Sequence, residues 1–228
     1  MFIAEQAFLM TTRVDGGAHL WVSARDEVLR SALLCDLAAH NLIVLEDRGL
    51  LGKRVLPAVA STHVADPLLR HGVERLEQLG PRSVQRLLKD KHFATEEAVT
   101  WRLVSQGVLA PEQRGFLFFK WNFYSARDAT VGQQLRFRLQ QAVLNGAHES
   151  WDEAVTLALV TQAPGGTTVL REGLNAMGSL DTRKTLKEIK YSVTDPSLDR
   201  TSALVAETLT ATLHAMASIA RQKRRYRY

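Results

Sequence analysis

The chain carries one cysteine, Cys35, in 228 residues, which excludes an internal disulfide framework and any metal site built on paired thiolates. Cys35 sits among Leu33, Leu34 and Leu37, surroundings that suit a small buried filler rather than a nucleophile. No uninterrupted apolar run approaches the roughly 20 residues that cross a bilayer. The opening segment MFIAEQAFLM lacks a basic start and carries Glu5, so neither a spanning helix nor a secretory signal is expected. The histidines are scattered from His19 to His214 with no pair at helical metal spacing, and a zinc site is not expected. There is no Gly-rich phosphate loop, Ser31 and Ser105 lie in no nucleophile elbow, and Glu96 and Glu97 point to different faces of a helix. No cofactor, metal or catalytic site is therefore expected, and no internal repeat or low-complexity linker divides the chain.

What is present is core-forming material spread evenly: 46% of residues are hydrophobic, enough for one well-buried domain at this length. The formal net charge is +5, which favours an anionic partner, whether a membrane surface, a nucleic acid or an acidic protein. Periodicity and punctuation predict a mainly α protein. A short amphipathic helix is expected over Met1 to Met10, then a turn on Asp15, Gly16 and Gly17 that delivers Trp21. A helix from Asp26 follows, with Asn41 as a left-handed cap before a strand at Leu42 to Leu45. Asp47 to Ser61 reads as irregular, with Lys53 and Arg54 as loop charges. Asp66 and Pro67 start a helix that Gly80 and Pro81 end, a short helix runs from Arg82 to about Lys91, and Thr95 caps the next. Gly107 to Phe123 reads as a hairpin with its turn at Pro111 to Gly115. The remainder is helical: Asp128 to Asn145, a helix opened by a capping box of Ser150 with Glu153, and a long last helix from about Asp199. The expected architecture is a single compact helical domain over residues 1–220, amphipathic helices around a helical core with a protruding β-hairpin, followed by a basic tail at 221–228.

Three places carry chemistry suited to an anionic membrane. Trp21 and Arg30 flank the start of the second helix, one offering a flat amphipathic face and the other a fork that grips phosphate. The same residue types also fit a half-buried tryptophan beside a surface arginine. The run Phe116, Leu117, Phe118 and Phe119 is apolar on both faces of a strand, which fits either a buried hairpin or a tip that enters a membrane interface. The tail interleaves Arg221, Lys223, Arg224, Arg225 and Arg227 with Tyr226 and Tyr228. Each basic residue near an anionic bilayer is worth about 1 kcal/mol, so tail, pocket and hairpin would have to act together for stable attachment.

Four segments, LRSALLCDLAAHNLIVLE at Leu29 to Glu46, DPLLRHGVERL at Asp66 to Leu76, LVSQGVLAPEQRGFLFF at Leu103 to Phe119 and LRFRLQQAVLNG at Leu135 to Gly146, resemble in content, order and spacing the Golgi phosphoprotein three family. That family binds phosphatidylinositol 4-phosphate, and its eukaryotic members retain glycosyltransferases in the Golgi. The resemblance implies a peripheral membrane adaptor that is cytoplasmic, binds an anionic lipid, meets protein clients and self-associates through the hairpin. It places the first half of the headgroup pocket on Trp21 and Arg30, both retained. The second half, a basic pair in the family, falls on Phe93 and Glu96, so a weaker or altered lipid preference is expected, with Lys89, Lys91 or His92 as substitutes. The resemblance implies a bacterial-type member, expected without the N-terminal extension of the eukaryotic ones.

A second reading comes from another class. Thr95 to Phe123 runs helix, strand, turn, strand, the outline of a winged-helix nucleic-acid binder with a basic net charge behind it. Against it, the reading helix TEEAVTWRLVSQ offers Arg102 alone and turns Glu96 and Glu97 toward any phosphate, so a nucleic-acid partner is not the expectation.

Overall fold

The computed structural model describes residues 1–13, 17, 22–49, 53–116, 119–146, 148, 150–170, 179–194 and 200–225, with backbone only at 22–23, 113–116, 119–123, 179–180, 200–202 and 224. The expected turn on Asp15 to Gly17 and Trp21 itself therefore lie outside the described residues, save Gly17. Among the described residues the architecture is mainly α, nine α-helices with a three-stranded antiparallel sheet and a two-stranded hairpin.

At the centre lie α1 (Ile3–Thr11) and α2 (Val22–Ala39), packed on each other. The first helix forms where the sequence suggests, but its polar positions are buried along with its apolar ones. Seven of its nine residues are buried, polar Glu5 and Gln6 included. They stay inside because each finds partners there: Glu5 Oε2 accepts the Phe2 N–H at 2.8 Å, and the Gln6 side chain bonds both Asp152 and Thr156. Buried polar groups are tolerated on that condition. α2 starts four residues before the expected Asp26, and its Leu33, Leu34 and Leu37, like Phe8 of α1, are fully enclosed. It ends at Asn41, whose φ of 54° is the left-handed cap read from sequence.

The sheet joins β1 (Ile43–Asp47), β2 (Lys53–Pro57) and β3 (Arg82–Ser83), with Ile43 opposite Pro57 and Arg54 opposite Ser83. Lys53 and Arg54 are thus strand residues, not loop charges. The glycines and Pro57 obscured a strand of only five residues, with the proline at its end where a missing N–H costs least. Next come α3 (Pro67–Leu79), α4 (Val84–Lys89) and α5 (Glu96–Ser105). Asp66 caps α3 by accepting from Leu68 and Leu69, and Thr95 caps α5 by accepting from Ala98 at 3.2 Å, as their side chains predict.

β4 (Leu109–Phe116) pairs with β5 (Phe119–Ala126) over eight positions, Pro111 opposite Tyr124 and Phe116 opposite Phe119. The expected turn at Pro111 to Gly115 is a strand instead. In a ribbon of two edge strands a proline can face away from the ladder, so the polar residues that read as a turn extend the arm. Leu117 and Phe118 lie between the last pair and outside the described residues, as do the side chains of Phe116 and Phe119.

Three further helices follow, α6 (Ala129–Asn145), α7 (Trp151–Gln162) and α8 (Ser179–Ser192). Gly146, at φ 68°, closes α6 in the left-handed region. The expected capping box does not form: Ser150 makes no side-chain cap to α7, and the Glu153 carboxylate accepts instead from Arg138 Nε at 2.7 Å, a charge-assisted bond. The chain ends in α9 (Arg200–Arg225), which packs on α2, α4 and α7. The expected tail is helical as far as Arg225. Within α9, Ala203–Lys223 is the one stretch among the described residues long and apolar enough to cross a bilayer, yet Val205, Leu209, Leu213 and Ile219 are core residues of this domain.

Candidate functional site

Three helix ends meet at one place. The first turns of α2 carry Asp26, Glu27 and Arg30, and against them lie the last turns of α4 and α9. Gln85 Nε2 donates to Ser218 Oγ at 3.2 Å and Lys89 Nζ to Gln222 Oε1 at 2.8 Å. Both members of these pairs advance by four residues, one helical turn, so α4 and α9 run side by side in the same direction and finish together.

Arg30 is not the exposed fork that the sequence suggests. Only 5% of it is accessible. Its Nη1 donates to the Leu88 carbonyl at 3.0 Å and its Nη2 to Asp26 Oδ2 at 2.9 Å. Glu27, also buried, accepts from Lys223 Nζ at 2.7 Å. Among the described residues, Arg30 Nε and Glu27 Oε2 are buried with no hydrogen-bond partner. An unmet donor and an unmet acceptor on one helix face are costly unless something else meets them.

The contacts close a ring. Arg30 reaches Leu88, the next residue Lys89 reaches Gln222, the next residue Lys223 reaches Glu27, and Glu27 returns to Arg30 one turn along α2. Lys89 and Lys223 stand on its outer side, the Lys223 side chain about half accessible, and Arg86, Arg221 and Arg225 are exposed nearby on the same two helices. Asp26 and Glu27 are the carboxylates set against them. Basic side chains at helix C-termini also suit the helix dipoles.

Of the expected substitutes, Lys89 is therefore beside Arg30. Lys91 is exposed, and His92 lies toward α3, its carbonyl bonded by the His71 ring at 3.0 Å. Phe93 is fully buried and Glu96 binds Arg25, Nη1 to Oε2 at 3.0 Å, so the α5 end offers no cation. Arg25 is held further by Thr12 at 2.8 Å and stands over the Phe8 ring at 4.7 Å. Of the charged run Arg25, Asp26 and Glu27, only Asp26 is exposed, and Arg25 and Glu27 are buried. Sequence reasoning missed Glu27 and the Lys223 contact 196 residues away, for which no local pattern exists.

Arg102, the lone cation of α5, is occupied: Nη1 meets Asp66 at 2.9 Å, Nε lies 3.5 Å from Glu5, and the guanidinium stacks on Phe2 at 4.2 Å. It is unavailable to a phosphate backbone, which leaves the winged-helix reading without a cation on its reading helix. Elsewhere a groove of about 470 Å³ lies between Lys53 and α9, but its charged lining is already paired, Lys53 with Glu207. No group of three or more potential metal ligands occurs among the described residues.

Residues 3–216 match the family model described as Golgi phosphoprotein 3 (GPP34). No curated protein matches the chain.

Proposed function

The chain belongs to the Golgi phosphoprotein 3 family, and on that premise we propose that it is a peripheral membrane adaptor. It docks on anionic lipid headgroups where α2, α4 and α9 meet and presents itself to protein clients from the cytoplasmic side. The observation that carries this reading is the placement of Arg30 against the end of α4, beside Lys89 and the first basic residues of the expected tail. Lys89 and Lys223 come from the ends of two helices that run side by side against the Arg30 face of α2, and basic groups gathered at one junction favour an anionic surface.

Trp21 directly precedes α2 in the sequence and is the residue type suited to a membrane interface. The hairpin tip at Phe116 to Phe119 is the second contact. There two phenylalanines entering the bilayer would contribute about 1.5–3 kcal/mol each, and pairing of tips would make a homo-oligomer with several docking sites at once. Without basic residues at Phe93 and Glu96, discrimination of phosphatidylinositol 4-phosphate from other anionic lipids is weak, since each lost charge-assisted contact is worth about 1.5–3 kcal/mol.

Cosedimentation with vesicles tests the reading. Vesicles containing phosphatidylglycerol, or phosphatidylinositol 4-phosphate, should recruit the protein well above neutral phosphatidylcholine, with binding that weakens as salt rises. Equal recruitment by neutral vesicles would end it.

A further inference from the structure

Arg30 cannot bind a headgroup as it stands, because Asp26 already occupies its outward Nη2 and the Leu88 carbonyl its Nη1. Asp26 is the exposed member of that pair, its side chain 61% accessible against 6% for Arg30. A carboxylate on the solvent side of a buried guanidinium has the charge and the two-oxygen geometry of part of a phosphate. It sits where an incoming anion would have to sit.

The ring around it comes from three separate parts of the chain, joined by Arg30 to Leu88, Lys89 to Gln222 and Lys223 to Glu27. Inside it, the nine-tenths buried Arg30 keeps one donor, Nε, without an acceptor. Glu27 Oε2 lacks a donor, which a headgroup hydroxyl would supply.

We propose that the ends of α4 and α9 form the second half of the anion site, Lys89 and Lys223 gripping the phosphate of a lipid headgroup, and that Asp26 holds the headgroup's place on Arg30 until one displaces it. The inference rests on the membrane-docking reading above. It replaces the α5 end, where Phe93 is enclosed and Glu96 is bound to Arg25, with Lys89 on α4 and Lys223 on α9, two helices joined by the bond from Lys89 to Gln222, 133 positions apart in the chain. It also makes the last turns of α9 part of a built site rather than a loose cationic tail.

Cosedimentation with phosphatidylcholine vesicles, with and without phosphatidylglycerol, tests it through charge-matched variants. Lys89→Gln with Lys223→Gln should weaken binding to the anionic vesicles about tenfold or more. Lys184→Gln with Lys187→Gln removes the same charge from exposed positions on α8 and should cost less than about threefold. Asp26→Asn should strengthen binding several-fold, whereas Asp181→Asn on α8, an equal charge change, should hardly alter it.

Equal losses in the two lysine pairs would mean that bulk charge alone acts, and weaker binding by Asp26→Asn would mean that Asp26 is structural; either overturns the proposal. Should the Lys223 substitution unfold the protein through Glu27, Asp26→Asn decides alone, since Asp26 is exposed and Arg30 keeps the Leu88 carbonyl. A wild-type protein that ignores phosphatidylglycerol would instead end the membrane reading itself, and this proposal with it.

Discussion

The Asp36 carboxylate receives the start of α1: its Oδ1 accepts the Ile3 N–H at 2.8 Å, and its Oδ2 accepts the next N–H, from Ala4, at 2.9 Å. Two of the four donors that a helix N-terminus leaves unmet are thus answered from inside the core. Burial nevertheless pushes the Asp36 pKa from 3.8 up to about 8, with Glu5 and Asp152 adding repulsion and the two N–H bonds opposing. Burial raises Glu5 in the same direction. The folded state therefore holds protons that the unfolded chain has released. This contribution to stability is complete below the unfolded value and is lost as pH rises through the window up to about 8. Urea midpoints should fall across that window, and Asp36→Asn should flatten the slope while lowering stability by about 1–3 kcal/mol. Parallel slopes for the two proteins would show that Asp36 is not the titrating group.

Glu96 is spoken for by Arg25, and its removal acts on the fold. Glu96→Ala leaves the guanidinium of a buried arginine with Thr12 and the Phe8 ring only. Because the Glu96 side chain is 43% accessible, the loss should be moderate, about 1–2 kcal/mol. Restoring charge of the family's sign with Glu96→Arg should cost more, through repulsion from Arg25, and should not improve binding to anionic vesicles. Chemical denaturation and cosedimentation of the two variants read the two halves of this expectation.

Gly166, just beyond the end of α7, lies against the last turn of that helix. A Cβ built there would stand 1.7 Å from the Val160 carbonyl oxygen, inside any allowed contact, and the obstacle is backbone rather than a movable side chain. Gly166→Ala should therefore destabilise by more than about 3 kcal/mol, read as a lowered urea midpoint, while Gly132→Ala, with open space around the new methyl, should be near neutral or better in its helix.

Local chemistry made much of this fold legible. Asp66 with Pro67, Thr95, Asp128 with Gly146, and Asn41 each announce a helix end by a side chain or a φ preference that acts within four residues. What failed depended on distant partners. Glu5 and Gln6 look like the wet face of α1 until Arg102, Asp152 and Thr156 are brought to them, and Glu153 pairs with Arg138 instead of closing the expected cap. β2 is short and flanked by glycines, so its pairing with β1, not its composition, makes it a strand. At the candidate site the same division holds: Arg30 was visible in the sequence, but its burial and the arrival of Lys223 exist only once α9 has folded back.

The hairpin can be tested apart from the headgroup junction. If its tip enters the bilayer, replacing Phe116 and Phe119 by serine should reduce recruitment to anionic vesicles about tenfold or more, from about 1.5–3 kcal/mol per phenylalanine, with far-UV circular dichroism unchanged; a lost helical signal would instead assign the two rings to the core. Analytical ultracentrifugation of the same variant reads self-association separately. Loss of oligomers with recruitment intact would assign the tip to contacts between copies.

Cys35 reports whether docking is peripheral. It is fully buried on α2, beside Thr212 of α9, and burial pushes its thiol well above the ordinary range. A thiol reagent needs both access and thiolate, so labelling of the native protein should proceed only through unfolding. The Ala203–Lys223 stretch of α9 has the length and apolarity of a membrane span; were it to leave the core and insert, Thr212 would depart and Cys35 would lose its cover. Anionic vesicles should therefore leave Cys35 labelling as slow as in solution if the protein docks by its surface. Acceleration on vesicles, at unchanged stability in solution, would mean that α9 opens at the membrane, and the headgroup junction at its end would have to be read as a hinge.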